Sequence, residues 1–158
     1  MIYVNVRALI IRETEEGEEL LIQKRVKPHE GSSKPFELPG GRIEKFESII
    51  DCLKREIKEE TGLVLQEIID PTYYITTTSK EGFQVESLAP YAVYQTLEGP
   101  VDSMGIYFKC KADGELLKQG DSSEGIRWAH LSEIKQLIQK EEVSWVDKAG
   151  IQFYLNKN

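Results

Sequence analysis

Glu56, Glu59 and Glu60 sit within Arg55-Glu56-Ile57-Lys58-Glu59-Glu60-Thr61-Gly62. Side chains three and four residues apart are neighbours on a helix, so like charges there repel one another. At about 100° per residue, Ile49, Leu53, Ile57 and Ile50 form an apolar stripe spanning roughly 0° to 100°. On the same wheel Glu60 falls at about 20°, Glu56 at about −20° and Glu59 at about −80°. The carboxylates therefore border the core stripe, and Glu60 lies inside its range. A solvated acidic face is the plain alternative. Arg55 and Lys58 offset part of the repulsion. A divalent cation offsets it more fully, because hard cations take carboxylate oxygens. Upstream, Pro39-Gly40-Gly41 supplies a segment where backbone can approach closely. Alone it reads as a turn before a helix. With the carboxylates it reads as a loop folding over the start of a catalytic helix.

The elements that must position these residues follow from pattern. Tyr3 to Arg12 is β-branched and aliphatic and predicts a strand. Thr14 to Glu18 is a turn, and Leu20 to Val26 the return strand of a hairpin. Lys27 to Pro35 reads as a loop, and Phe36 to Leu38 as extended, because pre-proline residues avoid the helical region. The helix is expected over Glu47 to Thr61, closed by Gly62. Leu63 to Ser79 is strand-rich, Lys80 to Gly82 turns, and Tyr91 to Leu97 and Met104 to Lys111 read as strands. After a loop from Asp113 to Gly125 come a short strand, Ile126 to Trp128, and a helix over Leu131 to Gln139. A last helix is expected from Ser144, with capping-box spacing to Asp147 and Trp145, Ala149 and Phe153 on its buried face. This order predicts an α/β protein in which a mixed sheet carries helices on both faces.

Bulk properties narrow the function. The 158 residues suggest one domain over 1–158. Net charge is −7, which argues against a broad nucleic-acid surface. It leaves room for a phosphorylated small molecule held through a cation. Cys52 and Cys110 form no metal motif and read as reduced thiols of a cytoplasmic protein. No leader is expected, and runs such as Ala8 to Ile11 are too short to cross a bilayer.

The residues also resemble a known family. Gly41, Glu47, Arg55, Glu56, Ile57, Glu59, Glu60, Gly62 and Leu63 match, without departure, the signature of Nudix hydrolases (MutT-like). The likeness extends to Leu20 to Arg25, to Phe36 to Gly41, and to Trp128 with the helix after it. The resemblance implies the Nudix α/β/α sandwich, a mixed β-sheet flanked by helices. It implies cleavage of a pyrophosphate linkage in a nucleoside diphosphate joined to another moiety, by water with Mg²⁺ or Mn²⁺. Glu59 and Glu60 are then metal ligands, Glu56 a ligand or proton acceptor, and the Gly40 carbonyl a further ligand. Arg55 and Glu47 are an orienting salt bridge, with Gly41 structural. Of the loop acids, Glu124 is the first candidate for general base and Asp121 the second. Arg25 and Lys24 are candidates for substrate phosphate, Arg being well matched to phosphate oxygens, with surface-strand charge as the alternative. Tyr73, Tyr74 and Phe83 could stack on a base or fill the core. His29 and His130 are given no role.

The resemblance implies a nucleotide-type substrate, with nucleoside triphosphates, including oxidised ones, slightly ahead of ADP-ribose-like or nucleotide sugars. Thr76 to Ser79 stands where ADP-ribose-cleaving members carry proline, and Pro71 comes too early. Lys80 stands where diadenosine-polyphosphate members carry tyrosine. A non-catalytic nucleotide sensor is a rival, though sensors commonly lose one of the three glutamates kept here. An isopentenyl diphosphate isomerase is a weaker rival, because Cys52 lies inside the signature helix. A homodimer is an open assembly.

Overall fold

β1 (Tyr3–Thr14) is buried from Val6 through Ile11 without a break, as expected of a strand covered on both faces. The computed structural model describes residues 1–25, 34–69, 73–121 and 123–157. His29, Pro71 and most of the loop expected over Lys27 to Pro35 lie outside them. β1 turns into β2 (Gly17–Arg25) as an antiparallel hairpin in which Ile11 faces Leu20 and Thr14 faces Gly17. On its other side β1 runs parallel to β9 (Ser103–Asp113), with Tyr3 opposite Ser103. β10 (Ser123–His130) lies outside β2, and β5 (Val64–Ile68) outside β9. Three short strands complete the sheet: β3 (Phe36–Glu37) on β2, β4 (Gly40–Arg42) on β1, and β8 (Ala92–Gln95) on β9. The sheet is mixed, because only the β1–β9 pair is parallel among the pairings described.

Side-chain alternation builds two cores. Val6, Ala8, Ile10, Leu21, Phe108 and Cys110 point to α1 (Ile49–Thr61) and pack on Cys52, Leu53 and Ile57. Leu9, Ile11, Leu20, Ile22 and Tyr107 point to the other side. There they meet Ile134 and Leu137 of α2 (Leu131–Gln139) and Ile151 and Tyr154 of α3 (Lys148–Lys157). Helices thus flank both faces, as the sequence order predicts.

Three expectations need correction. α3 begins at Lys148, and it buries Gly150, Ile151 and Tyr154, while Trp145, Ala149 and Phe153 are exposed. Asp147 closes no capping box. Its carboxylate is fully buried and accepts from Arg7, the Leu38 amide and the Tyr107 hydroxyl. That fixes the turn before α3 and rotates the helix away from the Trp145 face. The third concerns β6 (Tyr74–Thr78) and β7 (Gln84–Leu88), a separate hairpin. It carries Tyr73, Tyr74 and Phe83 as exposed side chains, so they do not fill the core.

Candidate active site

The site grows from α1. Ser48 caps its start, accepting from the Asp51 amide, and Gly62 ends it in the left-handed conformation, φ 84°. A Cβ at Gly62 would also meet the Glu115 carbonyl at 2.8 Å. Another free amide of the first turn, that of Ile49, donates to Glu86 on β7 at 2.7 Å, and Tyr74 donates to the same carboxylate at 2.6 Å. The separate hairpin is thereby tied to the helix start, where unsatisfied amides favour a carboxylate.

Arg55 organises the acidic face. Its Nε and Nη2 donate to the two oxygens of Glu47 at 2.7 and 2.9 Å. Nη1 donates to Glu56 at 2.8 Å and to Glu59 at 3.3 Å, and Nη2 reaches the Arg42 carbonyl at 3.2 Å. One guanidinium therefore joins three signature glutamates to β4. Its hydrogen bonds hold the Glu47 carboxyl down at about 2. Glu56 behaves oppositely. Burial pushes its carboxyl up, Arg55 opposes the rise, and the neighbouring Glu59 and Glu60 charges add to it.

Glycine makes room for this arrangement. A Cβ at Gly41 would lie 2.4 Å from the Glu56 carboxylate, and one at Gly40 would lie 2.1 Å from the Val6 carbonyl. Gly40 sits in β4 opposite Arg7. Any side chain at either place would displace the strand or the carboxylate.

Glu60 is 7% exposed, and its Oε2 is buried with no hydrogen-bond partner. Its backbone is locked from the far side. Ser123 Oγ donates to the Glu60 carbonyl at 2.6 Å, and a Cβ on Gly120 would lie 2.3 Å from that same oxygen. A buried carboxylate oxygen left unpaired is costly. Such an oxygen, beside Glu56 and Glu59, suits a hard divalent cation. Glu56 and Glu59 are both drawn toward Arg55. Among the described residues, no three Asp, Glu, His or Cys side chains already converge on one point.

The remaining candidates divide between the two faces of the sheet. On β2, Gln23 and Arg25 alternate with Lys24. Arg25 lies opposite Ser123, and its guanidinium is 3.4 Å from Glu37, which lies opposite Gln23. Lys24 faces the other way, over the Phe36 ring at 4.7 Å. It lines a cleft with Lys34, Phe36, Lys140 and Val143. Glu124 is opposite Lys24 and pairs with Lys34 at 3.4 Å. Lys24 and Glu124 are thus on the face away from α1, and the structure does not bring them to the glutamates. Asp121 is nearer, its amide donating to the Glu59 carbonyl at 3.2 Å. His130 caps α2, accepting from the Ser132 amide.

Two residues were missed by sequence reasoning. Glu37 is 7% exposed between Arg7 and Arg25. Burial pushes its carboxyl up, the two arginines oppose this, and Asp147 and Glu60 add to it. Gln23 is 1% exposed with Oε1 unpartnered. For Gln23 the available signal was a polar residue that directly continues the apolar run Leu20-Leu21-Ile22 within one strand.

Comparison with known proteins shows the family of the chain. An "8-oxo-dGTP diphosphatase" from Buchnera aphidicola is 42% identical over 52 residues, 32% of this chain and 42% of that protein. The human "8-oxo-dGDP phosphatase NUDT18" is 46% identical over 50 residues, 32% of this chain and 15% of that protein. The chain thus matches less than half the length of these curated relatives. A solved structure from work on MutT of Aliivibrio salmonicida and Vibrio cholerae superposes with a TM-score of 0.66 at 15% identity, covering 100% of both chains. At that identity the likeness is one of fold. The NUDIX domain family model matches residues 2–149. The chain belongs to the NUDIX domain family, with the MutT-like fold.

Proposed function

We propose that this chain is a single-domain, divalent-metal-dependent pyrophosphohydrolase. It acts on nucleoside diphosphates linked to another group, with nucleoside triphosphates, oxidised ones included, as leading substrates. The observation that carries this reading is Glu60 Oε2, buried and unpartnered beside Glu56 and Glu59. The names of the two curated relatives support the choice of substrate.

Glu59, Glu60 and Glu56, with the Gly40 carbonyl, would hold Mg²⁺ or Mn²⁺. When bound, the ion supplies charge neutralisation at phosphate and a more acidic water. The chain's own residues do the rest. Arg55 and Glu47 fix the angle of α1 against β4. Glu56, held by Arg55 on the same acidic face, would accept the proton of the attacking water. Arg25, half-exposed on the α1 side, would meet substrate phosphate. Of the two loop acids we take Asp121 ahead of Glu124 as the candidate general base, because its backbone amide is bonded to α1. Lys24 lies on the other face of the sheet, over Phe36. Among the described residues, no helix is long and apolar enough to cross a membrane. A cytoplasmic enzyme on small nucleotides fits the chain.

The test is a substrate panel with Mg²⁺: dNTPs, oxidised dGTP, ADP-ribose, nucleotide sugars, diadenosine polyphosphates and NADH, with Glu60→Gln in parallel. Cleavage of triphosphates that the variant lacks supports the reading. Cleavage confined to ADP-ribose or nucleotide sugars moves the substrate class. Binding without turnover anywhere makes the chain a nucleotide sensor.

A further inference from the structure

Glu60 Oε2 is not alone in its condition. Gln23 Oε1 is also buried without a partner, on a side chain only 1% exposed. A buried amide oxygen in a strand is unusual unless something meets it.

The two orphaned acceptors share one side of the sheet. Gln23 alternates with Leu21, which packs in the α1 layer. Two residues on, Arg25 is opposite Ser123, whose hydroxyl donates to the Glu60 backbone carbonyl. Across the ladder Gln23 faces Glu37, whose carboxyl senses the Glu60 charge. The α1 side of the sheet thus carries an amide oxygen on β2, and α1 carries a carboxylate oxygen. Both accept and neither donates. Arg25 lies nearby but is directed to Glu37.

We infer that Gln23 Oε1 joins Glu60 Oε2 in holding a hydrated divalent cation, coordinating it directly or accepting a hydrogen bond from one of its waters. Amide carbonyls are ordinary ligands of hard cations. This rests on the metal-dependent reading above and extends it from the helix to the sheet.

The test measures Mn²⁺ binding to the intact chain without nucleotide, by electron paramagnetic resonance titration, alongside melting in metal-free buffer. Gln23→Leu is expected to weaken Mn²⁺ binding by about tenfold, the lower end of the loss typical when a supporting partner of a metal site is removed. Its metal-free melting temperature should match or exceed wild type, because an unpaired buried amide oxygen has gone. Gln23→Glu should bind Mn²⁺ at least as well as wild type. If both Gln23 variants bind Mn²⁺ as wild type does while Glu60→Gln is weakened, the role of Gln23 is overturned and the metal reading stands. If Gln23→Leu melts well below wild type and Gln23→Glu binds no better than it, the amide is structural and the inference falls. If wild type binds no Mn²⁺, or Glu60→Gln binds equally well, the metal reading and this inference fall together.

Discussion

Arg7 and Asp147 meet inside the core, with Nε and Nη2 donating to the two carboxylate oxygens at 3.2 and 2.6 Å. Arg7 also donates to the Leu38 carbonyl at 2.7 Å, and the Leu38 amide donates to Asp147 at 2.9 Å. A central strand, the residue before Pro39 and the turn into α3 are joined through one ion pair. Removing one member leaves the other charged and buried, which costs about 3–5 kcal/mol. Asp147→Ala should lose that much in urea denaturation. Tyr107→Phe, which removes only the hydroxyl bond to Asp147, should lose about 1 kcal/mol. A loss under about 1 kcal/mol for Asp147→Ala would show that the pair does not anchor the fold.

Glu47 ties stability to pH. Its carboxyl is held at about 2 by Arg55, against an ordinary 4.5. A depressed folded-state value means that the contribution is present above about 4.5 and is lost as pH falls toward 2. Glu47→Gln should be less stable than wild type at neutral pH, and its stability should fall less steeply across that acid window. Arg55→Ala should lower melting more, because Glu56 and Glu59 also lose a donor. Parallel acid limbs for wild type and Glu47→Gln would remove Glu47 from this role.

Gly41→Ala separates geometry from folding. The added Cβ lands on the Glu56 carboxylate, the end of a flexible side chain. The strand therefore survives at modest cost while Glu56 moves off its position. We expect kcat to fall by at least about tenfold, the scale of a displaced catalytic group, with melting within a few degrees of wild type. Unchanged kcat would mean that the Glu56 position is immaterial.

Glu60→Gln keeps size and removes charge. Turnover should drop by at least about a hundredfold, as for loss of a general acid–base or ligand group. Metal-free melting should stay level or rise, since a charge repelled by Glu56 and Glu59 has been neutralised. A calorimetric scan showing marked destabilisation, with activity retained, would place Glu60 in the fold rather than in the chemistry.

α1 was legible because local rules agree there. The stripe of Leu53 and Ile57, the Ser48 cap and Gly62 all act within a few residues, and the wheel placed Glu56 and Glu60 at the buried edge where they are found. The helix starts two residues after the expected Glu47, because Glu47 is held outside it by Arg55 and the Glu44 amide. α2 has the expected limits. α3 misled, since its orientation depends on Arg7, at the opposite end of the chain. The side of the sheet that Glu124 takes was not legible for a similar reason. Proximity to Trp128 says nothing of which face a residue takes, and the register against Lys24 decides it. β7 was missed because Gln84-Val85-Glu86-Ser87-Leu88 is half polar, and its hairpin leans on α1 rather than on the main sheet.

The parallel pairing of β1 with β9 sets an order of events during synthesis. β1 and β2 are joined by a tight turn and can meet on the microsecond scale of hairpin formation. β9 is made far later, and closing so long a loop slows folding. In that interval the β1 edge that carries Val6, Ala8 and Ile10 lacks its parallel neighbour, although α1 is already made. The nascent chain thus carries a bare, strongly apolar strand edge, the kind of surface that other strands add to. Chaperone demand for this protein should therefore be greatest before β9 leaves the ribosome.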